Sequence, residues 1–240
     1  MTTPRFLPLG DTALSIEYGE VIDRDLSRAV LALDAAIARA RLPGIVETLP
    51  SFRALMVVFD PLVTDHDSLR HALSPLLVQA DYAQAPRTLW HLPVCYGGSH
   101  GPDLDAVAEQ QGLSAQEIIS IHSGLSHFVY MIGFLPGHPY LGDLPDSLNL
   151  PRRADPRVNV PKGSVAIAIG LTVIYPVTSP GGWNLIGRTP VPMFDIASAA
   201  PSLMAPGDAV RFHPVAADEF EQISDEVAAG RYQVSKEAVS

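Results

Sequence analysis

The stretch from Gly133 to Arg188 restricts the fold of this chain more than any other. It is dense in glycine and proline, in the runs GFLPGHPYLG, PRRADPR, VPKGSV and SPGGWNLIGRTP. Glycine permits positive φ and close backbone approach, whereas proline fixes φ and removes a backbone donor. The segment lacks the apolar periodicity of an ordinary core. Its composition predicts loops of defined shape, and its arginines favour a polar ligand bound between these loops.

Charge is unevenly distributed along the chain. The net charge of −10 disfavours general binding to nucleic acid or to membrane surfaces. Between Gly133 and Asp195, five basic side chains stand against four acidic ones, so the remainder carries −11. The loop-rich segment is therefore the least acidic part of the chain, as an anion-binding site needs. Chance clustering of surface arginines explains the same charge pattern equally well.

Length and composition favour an ordinary globular protein with a cytoplasmic location. A chain of 240 residues allows one or two domains. A single cysteine, Cys95, excludes an internal disulfide, and no apolar run reaches the length of a transmembrane helix. The first residues, MTTPRFLPLGD, lack the pattern of a signal peptide.

The first half of the chain is predicted to have the order β-α-β-β-α-β. Residues 22–40 repeat apolar side chains every three or four positions, as a helix does, and 65–79 form a second helix that Pro75 should kink or split. The predicted strands are 12–17, 45–49, 54–59 and 89–95. This order is that of a ferredoxin-like α/β domain, assigned to residues 1–85 with a linker at 82–87.

The second half, residues 86–240, is predicted to be a β-barrel. Two helices, at 103–111 and from the Ser114–Glu117 capping box to about 122, precede mostly short strands. A late helix at 218–229 ends before Gly230. The predicted strands are 128–132, 164–169, 172–175, 191–194 and 209–213. Short strands separated by Gly and Pro turns are typical of barrels.

Common catalytic and nucleotide-binding motifs are missing from the sequence. It contains no GxxxxGK[ST], GxGxxG, HExxH, CxxC or GxSxG, and its eight histidines show no zinc spacing, so we expect no metal site. His122 and His138 differ from the other histidines because they lie beside or inside the loop-rich segment. Proton transfer and simple loop packing are equally good explanations for these two.

The glycine-rich motifs resemble those of the allophanate hydrolase subunit 1 and KipI family. The resemblance rests on GFLPGHPYLG, PRRADPR, VPKGSV, IYPVTSPGGWNLIGRTP and PGDAVRF, with YGGSHGPDL and LGDTAL nearer the start, and it spans nearly the whole chain. His138 departs from the family pattern, which commonly has an aromatic residue at that position. Lys162 and Ser126-His127-Phe128 depart as well, where the family often has a small residue and Tyr-Arg-Val.

The resemblance implies an α+β protein with a ferredoxin-like N-terminal domain and a cyclophilin-like β-barrel. It also implies one component of an ATP-dependent 5-oxoprolinase, inactive alone, which opens 5-oxoproline to glutamate together with an A subunit and a homologous C subunit. ATP with Mg²⁺ would then act in the assembled complex. Two alternatives stay open: an inhibitor of a sensor histidine kinase, or half of the carboxyltransferase of a urea carboxylase.

The same resemblance implies candidate site residues in three groups. The catalytic candidates are His122, His138 and Arg188; the substrate or phosphate candidates are Arg152, Arg157, Lys162, Gly181 and Gly182; the pocket candidates are Phe134, Pro136, Tyr140 and Trp183. Arginine suits carboxylate and phosphate because its planar fork pairs with them bidentately. Alternatively, Arg152 and Arg157 fix the loops by pairing with Asp143, Asp146 or Asp155, and the aromatic residues serve packing.

Overall fold

The strand and helix patterns of the sequence resolve into two units, each built around its own apolar core. The computed structural model of the protein describes residues 4–79 and 87–239. The units are Met1–Ala85 and Pro86–Ser240. Both mix strands with helices, so the fold is α+β.

A four-stranded antiparallel sheet with two helices makes up the first unit. Its elements are β1 (Arg5–Leu9), β2 (Ala13–Glu17), α1 (Arg24–Ala40), β3 (Ile45–Pro50), β4 (Ala54–Phe59) and α2 (His66–Gln79). The sheet order is β1-β2-β4-β3. Every second residue of β4 is buried, and α1 buries a stripe that includes Val30, Leu33 and Ile37. These two periodicities place one sheet face and one helix face in a common core.

The ferredoxin-like order predicted for this unit is not confirmed. The predicted strand 89–95 belongs to the second unit, where it pairs with a strand of that unit's barrel. An additional strand, β1, which the sequence patterns did not reveal, pairs with β2 at the edge of the first sheet. The observed order is therefore β-β-α-β-β-α. The predicted linker at 82–87 lies outside the described residues except for Arg87.

Helix α2 runs through Pro75 as one element, so the predicted split is wrong, while the predicted kink stays a prediction. Proline removes one backbone hydrogen bond from a helix, but the surrounding turns hold α2 together. Helix α1 starts where Asp23 accepts hydrogen bonds from the amides of Asp25 and Leu26, and it ends at Arg41 with φ of 48°.

The second unit contains a closed barrel of seven strands. Its elements are β5 (Arg87–Tyr96), α3 (Leu104–Gln111), α4 (Ala115–Gly124), β6 (His127–Ile132), β7 (Pro139–Gly142), a 3₁₀ turn (Asp146–Leu148), β8 (Arg157–Val160), β9 (Ser164–Ala168), β10 (Leu171–Ile174), β11 (Ser179–Gly181), β12 (Asn184–Arg188), β13 (Ala209–Pro214), α5 (Ala217–Ala228) and β14 (Ser235–Val239). The ring runs β5-β12-β9-β10-β7-β6-β13 and closes on β5, while β14 pairs with β5 outside it.

Buried aliphatic side chains from the ring strands fill the barrel, among them Val94, Val165, Ile167, Ile174 and Ile186. The predicted strand at 191–194 is not one, because only Phe194 forms an isolated bridge, to Ser202. The capping box predicted for α4 is confirmed.

Strands β8 and β11 form a separate two-stranded sheet and bring two of the sequence motifs together. They pair Arg157 with Gly181 and Val160 with Ser179. PRRADPR thus lies beside SPGGW, and the site is built around this pairing. No helix within the described part of the chain is both long and apolar enough to cross a bilayer.

Candidate functional site

The loops of the Gly133–Arg188 segment enclose a cleft of about 200 Å³. The lining residues are Phe134, His138, Tyr140, Arg152, Arg153, Pro156, Tyr175, Pro180, Gly181, Gly182 and Trp183. Pockets for drug-sized ligands measure about 300–1,000 Å³, so this cleft has room for a smaller molecule. We call it the loop cleft.

Backbone contacts hold the two main walls of the loop cleft against each other. The amide of Arg153 donates to the carbonyl of Gly182 at 2.7 Å, next to the pairing of β8 with β11. Gly181 packs so closely on Tyr175 that a Cβ there would stand 2.2 Å from the tyrosine hydroxyl oxygen. The glycine is thus required for the shape of the wall, because no side chain fits at that distance.

His138 lies in the wall among aromatic rings. Its ring centroid is 5.1 Å from that of Tyr140 and 5.2 Å from that of Tyr175, and the residue is 2% exposed. Burial lowers the pKa of His138 to about 4, so the imidazole is neutral at physiological pH. Its Nδ1 atom is buried and makes no hydrogen bond with the described residues. Such an atom is costly unless a ligand or water satisfies it.

Two tyrosine hydroxyls and Arg152 add further polar groups to the lining. Burial raises the pKa of Tyr140, and it raises the pKa of Tyr175 to about 12, so both phenols keep their protons at neutral pH. The positive charge of Arg152 opposes both shifts. The Arg152 guanidinium stacks over Trp183, 5.5 Å from the ring centroid, while the residue itself is exposed. The cleft therefore combines a cation on an aromatic platform with neutral hydrogen-bonding groups.

Asp103 anchors the other two arginines of the motif. Its carboxylate accepts from both terminal nitrogens of Arg157, at 2.8 and 2.7 Å, and from Nη1 of Arg153 at 2.9 Å. It also accepts from the amide of Leu185 at 2.7 Å. Asp103 is buried at the start of α3, so one carboxylate joins three segments of the chain.

Of the sequence candidates, the structure brings seven together in the loop cleft: Phe134, His138, Tyr140, Arg152, Gly181, Gly182 and Trp183. Phe134 stands at the rim with its side chain exposed and φ of 71°. A positive φ in a bulky residue marks local strain, which is common at ligand sites.

His122 lies elsewhere, inside the barrel core. Its Nδ1 is 2.8 Å from the Tyr96 hydroxyl, its Nε2 is 3.1 Å from the Thr172 hydroxyl, and its ring stacks on Phe212. Burial holds the pKa of His122 well below its ordinary value. Both ring nitrogens have partners and no solvent reaches the ring. Packing therefore accounts for this histidine.

The remaining four candidates do not line the cleft either. Arg157 is occupied by Asp103, which replaces the partners Asp143, Asp146 and Asp155 that the sequence suggested. Arg188 donates from Nε to the carbonyl of Lys162 at 2.8 Å. The side chains of Lys162 and Pro136 are exposed.

Sequence reasoning missed Asp103, Arg153, Pro156, Tyr175 and Pro180. The last four stand within the quoted motifs, so their position beside the chosen residues was the available signal. Asp103 also stands in a quoted motif, YGGSHGPDL, but its binding to arginines about fifty residues later had no signal in the sequence. Among the described residues, no group of three or more His, Cys, Asp or Glu side chains is placed to hold a metal ion.

Comparisons with known proteins identify the family. The model of the carboxyltransferase domain, subdomain C and D, matches residues 4–204. The chain is 36% identical over 229 residues to the B subunit of the 5-oxoprolinase of Bacillus subtilis, covering 91% of this chain and 95% of that protein.

Solved structures agree with this assignment. TTHA0988 is 36% identical with a TM-score of 0.76, covering 85% of this chain and 40% of that one, so the present chain spans less than half of it. The urea amidolyase of K. lactis is 21% identical with a TM-score of 0.83, over 98% of this chain and 16% of that one, which is a likeness of fold. The chain therefore belongs to the carboxyltransferase-domain C and D family, as a relative of 5-oxoprolinase B subunits, and the predicted resemblance is confirmed.

Proposed function

We propose that this protein is the B subunit of an ATP-dependent 5-oxoprolinase, which opens 5-oxoproline to glutamate. The observation that carries the proposal is the 36% identity to a named B subunit along 91% of the chain. We also propose that the seven-stranded barrel is the cyclophilin-like domain of the family and that the complex works in the cytoplasm.

The loop cleft suits the substrate of this reaction. 5-Oxoproline carries one carboxylate on a small neutral lactam ring, and Arg152 is placed to pair with the carboxylate. The neutral imidazole of His138 and the hydroxyl of Tyr175 offer hydrogen bonds to the ring amide. Gly181 and Gly182 also line the cleft, where the backbone would approach the ligand closely.

Coupling to ATP supplies the driving force, since the lactam is stable. ATP would transfer its γ-phosphoryl group to the amide oxygen and leave as ADP. Hydrolysis of the phosphorylated lactam would then break the ring C–N bond and release glutamate and inorganic phosphate. The cleft lining contains no aspartate or glutamate, and its one cation outside an ion pair among the described residues is Arg152. These residues do not fit Mg²⁺-ATP, which takes carboxylate ligands for the metal and several donors for the phosphates. We therefore assign no step of the phosphoryl transfer to the cleft.

The complete reaction is expected to need partner subunits. We propose that the chain is inactive alone and acts with an A subunit and a homologous C subunit. The test is reconstitution of the three purified proteins with 5-oxoproline and ATP, followed by measurement of glutamate. Glutamate should appear only with all three proteins and ATP. Its absence from the full mixture would end the proposal.

A second candidate function is half of the carboxyltransferase of a urea carboxylase, favoured by the description of the matching family model. It requires a biotinylated carrier, which here would be a separate chain. The same reconstitution distinguishes the two functions if carboxybiotin and urea replace ATP and 5-oxoproline. Carboxyl transfer to urea, without glutamate release, would favour this alternative.

A further inference from the structure

Three arginines stand at or next to the loop cleft, and within the described structure only Arg152 stands outside an ion pair with Asp103. Arg153 and Arg157 share the carboxylate of Asp103, in contacts of 2.7 to 2.9 Å. Arg152 contacts the Trp183 ring and forms no ion pair within the described structure. One carboxylate thus engages two of the three guanidinium groups, and this cluster keeps one net positive charge beside the cleft.

We propose that the loop cleft selects a small monocarboxylate over phosphate-bearing ligands and that Asp103 sets this selection. The substrate's identity as 5-oxoproline rests on the proposed function; the charge selection rests on the arrangement of the arginines. Asp103 acts through them as a positioning residue, because it lies behind the wall and does not line the cleft.

A second polar group of the cleft wall is the imidazole of His138. Nδ1 of His138 is buried in the cleft wall without a hydrogen-bond partner among the described residues, and the residue is 2% exposed. Since the imidazole is neutral, it adds a hydrogen bond but no charge to the site.

Size and ring chemistry limit the ligand further. The volume of about 200 Å³ is below the range of about 300–1,000 Å³ typical of pockets for drug-sized ligands. Tyr140, Tyr175 and Trp183 supply flat apolar surface around the single cation. The arrangement fits one carboxylate on a small planar ring. A nucleotide needs more space and more positive charge, so its phosphates bind elsewhere in the complex.

The first test uses the unmodified full chain. Isothermal titration calorimetry would compare 5-oxoproline, glutamate and inorganic pyrophosphate in metal-free buffer at constant ionic strength. We expect 5-oxoproline to bind at least tenfold more tightly than pyrophosphate. Equal or tighter binding of pyrophosphate, or no binding of any monocarboxylate, would overturn the proposal.

The second test removes the negative charge of Asp103. Asp103→Asn releases Arg153 and adds one positive charge behind the cleft. The affinity for pyrophosphate, relative to the affinity for 5-oxoproline, should therefore rise at least tenfold. Asp208→Asn is the matched control, because Asp208 is an equally buried carboxylate of the same unit, which binds the Thr88 amide and the Trp90 indole instead of arginines. The control should leave the ratio unchanged, and an equal shift in both variants would contradict the role of Asp103.

A further variant keeps the test decisive if Asp103→Asn does not fold. Arg152→Gln should weaken 5-oxoproline binding at least tenfold, and Arg152→Lys should restore part of the loss because it restores the charge. If Arg152→Gln binds 5-oxoproline with full affinity, Arg152 is not the cation that binds the carboxylate, and the proposal is wrong.

Failure of this inference and failure of the proposed function give different results. If another small ring carboxylate, such as pyrrole-2-carboxylate, binds in preference to both 5-oxoproline and pyrophosphate, charge selection stands and the substrate is wrong. If pyrophosphate binds more tightly than 5-oxoproline while the mixture of the three proteins still produces glutamate, the proposed function stands and the proposed charge selection is wrong.

Discussion

At the scale of single residues, burial decides what the polar groups of this site can do. His122 and His138 looked equivalent in the sequence, yet one is fully satisfied in the core and the other has a buried nitrogen in the cleft wall. Likewise, neighbouring arginines differ because Asp103 binds Arg153 and leaves Arg152.

The depressed pKa of His138 predicts that the protein loses stability in mild acid. The unfolded chain takes up a proton near pH 6.5, whereas folded His138 does so only near pH 4. The contribution of this residue is therefore fully present above pH 6.5 and is lost as the pH falls towards 4, by about 3 kcal/mol in total. Urea unfolding from pH 7.5 to 4.5 measures this loss.

His138→Gln is the comparison for that measurement. Its free energy of unfolding should fall less steeply over the same pH range, because the titrating group is absent. Buried His122 contributes a slope in the same direction to both proteins. Parallel curves would show that His138 is not the source of the difference.

The contact of Gly181 with Tyr175 predicts an asymmetric effect of two neighbouring substitutions. Gly181→Ala puts a methyl group 2.2 Å from the tyrosine hydroxyl oxygen and should cost about 1–3 kcal/mol. In Gly182→Ala, the nearest atoms are those of Pro156 at 3.5 Å, so the cost should be much smaller. Thermal unfolding of the two variants tests this, and similar losses would count against the close contact.

At the scale of elements, local patterns identified helices better than strands. Helices α1 and α4 follow the apolar spacing and the capping box. Strands β8, β11 and β12 are short and rich in Gly, Pro or Arg, so their sequences carry little alternation. Their existence depends on partners distant in the chain, which local patterns do not contain.

Helix α2 allows the cost of a locally unfavourable residue to be measured, because it contains Pro75. Pro75 is exposed inside the helix, so Pro75→Ala restores a backbone donor without removing packing. We expect a gain of about 1–2 kcal/mol after the greater entropy of the unfolded chain is subtracted. His71→Ala, at another exposed position of α2, should change stability by less than about 0.5 kcal/mol. Denaturant unfolding measures both, and a loss in Pro75→Ala would contradict the expectation.

At the scale of the whole molecule, two separate apolar cores predict two unfolding transitions. One core includes Leu33 and Val57, and the other includes Ile167 and Phe212. Leu33→Ala should cost the first unit about 2–5 kcal/mol, and Ile167→Ala should act similarly on the second. Scanning calorimetry should show each variant lowering a different transition. A single transition shifted by both variants would refute independent units.

Local information in the chain was enough to indicate the family, the α+β composition, most helices and the segment that carries the candidate site. These depend on residue spacing, caps, and the unusual Gly and Pro motifs. Packing settled that strand 87–96 joins the barrel, that β1 completes the first sheet, and that Asp103 binds Arg153 and Arg157. Strand partners and buried ion pairs join residues far apart in the chain, so their identity depends on how the chain packs. For the Gly133–Arg188 segment, the motifs indicated a candidate ligand site, while packing determined which of its arginines pair with Asp103.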